Sequence, residues 1–109
     1  MKPQQRIFVL GGAHTPFLGK GHPDYVWKRH PDFGKRDNPS LQQMMGTAAR
    51  AALRTAGVSA AQVDKACVSN FLGECFARQG HLGSLLVAEV GDLAGKPVWR
   101  VEAACASGG

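Results

Sequence analysis

Three short apolar runs and two segments with helical periodicity alternate along the chain. The first run covers residues 6–10 and is followed by two glycines, so it predicts a strand that ends in a turn. Its apolar residues are consecutive rather than alternating, which is typical of a strand buried on both faces of a parallel sheet. Further apolar runs at residues 63–71 and 97–104 predict the second and third strands.

Helical periodicity is clearest in residues 40–56. Ser40 and Gln43 have the spacing of a capping box, and Gly57 is a typical C-terminal stop. Apolar side chains recur at the spacing i, i+3, i+4 and i+7 on one predicted face, which consists of Leu41, Met44, Met45, Ala48, Ala52, Leu53 and Ala56. The segment therefore predicts an amphipathic helix with defined ends.

A second helix is predicted for residues 76–90, with Gly91 ending it. Gly80 and Gly83 each oppose this helix, because an interior glycine costs about 1 kcal/mol relative to alanine. The resulting order is strand, helix, strand, helix, strand, which predicts an α/β fold with right-handed crossovers and a mainly parallel sheet. Loops at the carboxyl ends of the strands are then expected to carry the chemistry.

Residues 19–39 are predicted to form a long basic loop or insertion before the first helix. The tripeptide His-Pro-Asp occurs in it twice, starting at His22 and at His30. These repeats have good turn chemistry. His22, Asp24, His30 and Asp32 also have the residue types of a zinc site, although their spacing matches no strong metal motif.

The basic side chains of this loop could bind more than one kind of anionic partner. They are Lys20, Lys28, Arg29, Lys35 and Arg36, and Tyr25, Trp27 and Phe33 lie among them. Phosphates of coenzyme A would suit this charge. A nucleic acid would suit it too, but no nucleic-acid-binding motif is present. We favour a solvated loop that packs across a subunit boundary.

The composition is that of a globular protein with one modest core. The chain has 109 residues, of which 44% are hydrophobic and 19% charged, and its formal net charge is +5. No apolar run approaches the roughly 20 residues of a membrane-spanning helix. The polar N-terminus lacks the features of a signal peptide, so we expect a cytoplasmic protein without a membrane span.

The cysteine count argues against a disulfide framework. Cys67, Cys75 and Cys105 are odd in number, and no pair has metal-ligand or redox spacing. At least one free thiol is therefore expected.

Cys105 is the candidate nucleophile. It follows a predicted strand and lies in a turn of small residues at positions 103–109. A helix after this turn would place amide N–H groups and a helix dipole where they stabilise a thiolate or an oxyanion. A small buried cysteine near a strand end fits the same local pattern. The residues alone leave both interpretations open.

Two separate motifs resemble thiolases. Residues 102–109, Glu-Ala-Ala-Cys-Ala-Ser-Gly-Gly, closely resemble the thiolase nucleophile motif, particularly that of the branch similar to sterol-carrier-protein thiolases. Residues 12–20, Gly-Ala-His-Thr-Pro-Phe-Leu-Gly-Lys, resemble the opening of that family, with Leu18 inserted. The two motifs occur in the family's order and span nearly the whole chain.

The resemblance implies an acyltransferase of the acetyl-CoA C-acyltransferase type. Cys105 would accept the acyl group of a coenzyme A thioester, in thiolytic cleavage of a 3-oxoacyl-CoA or in the reverse Claisen condensation. Residues 1–109 would form the N-terminal part of a layered α-β-α domain, with residues 19–39 as an insertion. Coenzyme A enters as substrate, and no cofactor or metal is implied.

The family's other catalytic groups are absent from this sequence. Thiolases carry a histidine and a second cysteine in their later half, in Gly-His-Pro and Cys-x-Gly contexts. Gly21-His22-Pro23 has the right letters but the wrong order along the chain, so we read it as chance. We expect the isolated 109-residue chain to be inactive.

Other expectations follow from the same resemblance. The intact protein would be a homodimer or homotetramer, and residues 70–81 would lie near the dimer interface. Cys75, within that stretch, could approach a catalytic pocket or be a packing residue, and we favour packing. One alternative function is a condensing enzyme similar to ketoacyl or hydroxymethylglutaryl-CoA synthases. Another is a non-catalytic subunit that works with an OB-fold zinc protein.

Overall fold

A computed structural model of the chain describes residues 4–108, so Gly109 of the nucleophile motif and residues 1–3 of the polar N-terminus lie outside the described residues. The α-helices are α1 (Leu41–Ala56), α2 (Gly73–Ala77) and α3 (Leu82–Glu89), and the strands are β1 (Ala66–Ser69) and β2 (Val98–Val101). Short 3-10 helices cover Ala60–Gln62, Gly91–Leu93 and Ala104–Ala106. None of the helices described is both long and apolar enough to cross a membrane.

Helix α1 confirms the prediction from periodicity and caps. The Ser40 hydroxyl accepts the Gln43 amide at 3.1 Å, and the Gln43 side chain accepts the Ser40 amide at 2.9 Å. Gly57 ends the helix in the left-handed conformation, with φ of 68°. Of its apolar face, Leu41, Met45 and Leu53 pack against the core, and Ala49 joins them.

Strands β1 and β2 form a parallel pair, with Ala66 opposite Val98 and Ser69 opposite Val101. The pair confirms a mixed α/β architecture. Both strands are shorter than the sequence predicts. Alternate side chains face the helices, and the opposite face leaves Trp99 and Val101 about half exposed. Within residues 4–108, helices cover one face of the sheet, so the second helical layer of an α-β-α arrangement is not seen.

The predicted first strand at residues 6–10 is wrong. No strand forms there, and Ile7 and Val9 are 92% and 94% exposed. A strand requires a neighbour that pairs with its backbone, and no backbone hydrogen bond to a described strand reaches this segment. Directly after the segment, Gly11 lies against the backbone of Ala56.

The single helix predicted for residues 76–90 is also wrong, because two helices replace it. Helix α2 ends at Ala77, and Arg78 then adopts a left-handed conformation with φ of 51°. Helix α3 begins after His81, whose ring nitrogen accepts the Ser84 amide at 3.0 Å. Gly80 lies in this break, whereas Gly83 lies inside α3.

Helix α3 lies at the centre of the packing, between the sheet and α1. Leu82 is fully buried, and Leu86 is 8% exposed. Glycines allow α3 to pack closely against both β2 and α1. A β-carbon on Gly83 would meet the Val98 carbonyl oxygen of β2 at 2.8 Å, and one on Gly46 of α1 would meet the Glu89 side chain at 2.7 Å.

We expect Gly83→Ala to lower the free energy of unfolding by about 1–3 kcal/mol, because the methyl group forces α3 away from β2. Gly80→Ala is the matched control, since its β-carbon would meet no atom closer than 3.8 Å. That control should leave the protein unchanged or raise its stability by about 0.4–1 kcal/mol. Urea unfolding of the two variants checks this. Equal effects at both positions would contradict the close packing of Gly83.

Candidate functional site

Cys105 lies just beyond the carboxyl end of β2, in the 3-10 helix Ala104–Ala106. Its side chain is an exposed free thiol within the described residues. The neighbouring strand ends at the same edge, where the Asn70 amide donates to the Val101 carbonyl at 3.2 Å. Cys105 thus lies at the edge of the sheet where loops after parallel strands are expected to carry chemistry.

Ser107 closes the turn that carries Cys105. Its hydroxyl accepts the Ala103 amide at 2.9 Å and donates to the Ala104 carbonyl at 2.8 Å. The Ala106 amide adds a backbone bond to the Ala103 carbonyl at 2.9 Å. The two residues before the cysteine are therefore held by the Ser107 side chain, and the residue after it is held by a backbone bond.

Two further contacts fix the turn in place. The Glu102 carboxylate accepts the Ala104 amide at 2.9 Å. The Ser69 hydroxyl, at the end of β1, donates to the Ser107 carbonyl. The first contact is local, whereas the second joins the turn to the neighbouring strand.

Ala104 stores backbone strain next to the thiol. Its φ is 48°, in the left-handed region that a residue with a β-carbon rarely adopts. This conformation costs about 1–2 kcal/mol. Each hydrogen bond contributes about 0.5–1.5 kcal/mol net, so the bonds from Ser107 and Glu102 to Ala104 are sufficient to offset the strain.

No catalytic base reaches Cys105 within residues 4–108. The thiol makes no hydrogen bond there, and each histidine ring of these residues is engaged in a local contact: His14, His22, His30 and His81. The Gly21-His22-Pro23 tripeptide lies in such a contact, because the His22 ring accepts the Asp24 amide at 3.1 Å. No cluster of at least three histidine, cysteine or acidic residues in this range is suited to hold a metal ion.

The two His-Pro-Asp repeats form the same turn. In each, the histidine Nδ1 accepts the amide of the aspartate, at 3.1 Å for Asp24 and 3.0 Å for Asp32. In each, the histidine carbonyl accepts the amide three residues later, at 3.1 Å for Tyr25 and 3.0 Å for Phe33. Nδ1 of each ring thus takes part in a turn, and Nε2 of His30 lies 3.2 Å from the Pro23 carbonyl oxygen.

The basic loop is folded on its own residues. Val26 is buried, and the Asn38 side chain bonds both the amide and the carbonyl of Val26 at 2.8 Å. The Lys20 ammonium lies 5.1 Å from the centre of the Trp27 ring. The loop therefore has a defined structure although it contains no helix or strand.

An open apolar cleft of about 580 Å³ follows β1. Its lining consists of Pro39, Leu41, Met44, Asn70, Phe71, Leu72, Gly73 and Phe76. Arg100 of β2 anchors this stretch by donating to the Glu74 carboxylate and to the Phe71 carbonyl at 3.3 Å. The Cys75 thiol is exposed within the described residues, and its role as a packing residue stays a prediction.

Three residues of the site were not predicted from the sequence: Ser107, Ser69 and Arg100. Only Ser107 had a local signal, since it lies two residues after the candidate nucleophile in a run of otherwise apolar small residues. Ser69 and Arg100 act across the sheet, and their partners depend on the register of β1 and β2.

The chain is similar to an acetyl-CoA acetyltransferase from Methanothermobacter thermautotrophicus. The two are 41% identical over 70 residues, a match that covers 64% of this chain and 18% of the relative. The chain thus spans less than one fifth of the length of that curated relative. No protein-family model matches the chain.

We expect Ala104→Gly to leave the free energy of unfolding unchanged or to raise it slightly, and Ala104→Val to lower it by about 1–3 kcal/mol. The reason is the positive φ, which glycine adopts freely and a β-branched residue does not. Urea unfolding provides the measurement.

Ala106 supplies the matched control, because it lies in the same 3-10 helix with a negative φ. There, Ala106→Gly should cost about 0.5–1 kcal/mol. A glycine that destabilises both positions equally would be inconsistent with strain at Ala104.

Proposed function

We propose that this chain is the N-terminal part of an acyltransferase of the thiolase type, in which Cys105 accepts the acyl group of a coenzyme A thioester. The observation that carries the proposal is the 41% identity to an acetyl-CoA acetyltransferase. The exposed thiol at the end of β2 supports it, because a nucleophile has to be open to its substrate.

The first step of the proposed reaction is the attack of a cysteine thiolate on a thioester. The Cys105 sulfur attacks the thioester carbonyl, and a new carbon–sulfur bond forms as the bond to coenzyme A breaks. Coenzyme A leaves as a thiolate and takes the proton that Cys105 gave up. The acyl-enzyme then passes its acyl group to a second thiol or to a carbon nucleophile.

The general base for this step is expected outside residues 4–108. Within that range, no histidine or carboxylate forms a hydrogen bond with the Cys105 thiol. The contribution of residues 4–108 to this step is a nucleophile that is exposed and held in a defined turn. Ala104, Ser107 and Glu102 hold the turn, and small side chains at 103–108 leave room for the thioester.

Two alternative functions differ in whether a cysteine nucleophile is used. A condensing enzyme would form the same acyl-enzyme, whereas a non-catalytic subunit with an OB-fold zinc partner would form none. The similarity to an acetyltransferase favours the acyltransferase. A homo-oligomeric assembly stays a prediction from the family resemblance.

We expect acetyl-CoA to transfer its acetyl group to Cys105 in the full-length protein. Mass spectrometry of peptides after a short incubation and acid quench would locate the group. Cys105→Ala should abolish the acetylation and lower thiolytic turnover of acetoacetyl-CoA by at least about 1,000-fold, because the nucleophile is lost.

Cys67→Ala is the matched control, since Cys67 is also an exposed free thiol but lies within β1. This variant should keep both the acetylation and the turnover. Acetylation that persists in Cys105→Ala, or that maps to Cys67 or Cys75 instead, would refute the assignment.

The 109-residue chain alone should cleave acetoacetyl-CoA no faster than buffer, because its described residues bring no base to Cys105. Following absorbance of the substrate with coenzyme A present measures this. Turnover of the short chain close to that of the full-length protein would show that the remaining sequence supplies no essential group.

A further inference from the structure

A side chain two residues beyond Cys105 forms two of the hydrogen bonds that hold its turn. We propose that Ser107 is a positioning residue, whose hydroxyl holds the turn in the conformation that presents the Cys105 thiol to the thioester. This inference rests on the proposed acyltransferase function, and it assigns Ser107 no contact with substrate.

The geometry uses the full capacity of a hydroxyl as both donor and acceptor. The Ser107 oxygen accepts the Ala103 amide at 2.9 Å, and its hydrogen goes to the Ala104 carbonyl at 2.8 Å. These two backbone groups flank the residue with a φ of 48°. A side chain that only donates or only accepts cannot satisfy both, whereas the hydroxyl of serine or threonine does so with a single atom.

The same residue connects the turn to the sheet. The Ser107 carbonyl accepts the hydroxyl of Ser69, the last residue of β1. Ser107 therefore fixes the shape of the turn through its side chain and the place of the turn through its backbone. Removing the hydroxyl leaves the left-handed Ala104 with fewer restraints, and the Cys105 side chain is then free to change direction.

Three exposed thiols in one molecule make a direct test possible. We expect iodoacetamide to alkylate Cys105 and Cys67, because both thiols are exposed, and peptide mapping gives both rates from the same sample. The ratio of the two rates separates local from global effects, because a general loss of structure changes the reactivity of both thiols. The measurement uses the full-length protein across a range of pH.

Four proteins are compared: wild type, Ser107→Ala, Ser107→Thr and Ser84→Ala. Ser84 is the matched control, because its hydroxyl donates to the His81 carbonyl at 2.7 Å in a similar exposed turn at the start of α3. We expect Ser107→Ala to lower the Cys105-to-Cys67 ratio about tenfold. Ser107→Thr should restore most of the ratio, and Ser84→Ala should leave it unchanged.

A ratio in Ser107→Ala equal to that of wild type would overturn the inference, as would an equal decrease in Ser84→Ala. If Ser107→Ala does not fold, Ser69→Ala takes its place, because it breaks the contact of the same turn with β1. An unchanged ratio in that variant counts against the inference. Wild-type protein that is not acetylated by acetyl-CoA refutes the acyltransferase function instead, and the alkylation rates still report on the turn.

Discussion

The burial of α3 between the two-stranded sheet and α1 is the constraint on which the rest of the structure depends. Leu82, Leu86 and Val90 supply much of the core, and they can do so only if the helix approaches both neighbours closely. A glycine permits each approach, Gly83 against β2 and Gly46 against Glu89. The position of β2 relative to β1, and with it the place of the cysteine turn, follows from this packing.

Local signals predicted α1 well, and they failed where distant partners decide the outcome. The caps of this helix, Ser40 and Gly57, directly flank it in the sequence, so the local sequence is sufficient to predict them. The run at residues 6–10 has a strand-like composition, but pairing depends on a neighbour that composition does not supply. In the sequence, Gly83 only weakens the predicted helix. In the structure, glycine is needed there because the Val98 carbonyl oxygen of β2, fifteen residues later, leaves no room for a β-carbon.

In the candidate site, too, local features were predictable from the sequence and long-range contacts were not. Cys105 stands out in the sequence because small residues surround it in a motif that resembles a known family. The Ser69 contact required the tertiary structure, since its partner Ser107 lies 38 residues away. The left-handed Ala104 was equally hidden, because alanine has no preference for that conformation and the hydrogen bonds of the turn impose it.

The parallel register of β1 and β2 also sets a condition on how the site assembles. Ser69 pairs with Val101, and this brings its hydroxyl to the turn that follows β2. A slip of one residue would turn Ser69 toward the helices, and a slip of two would move it about 6.6 Å along the strand. Misregistered folding intermediates would therefore carry a cysteine turn without its anchor to β1, and only the native alignment would complete the contacts around the thiol.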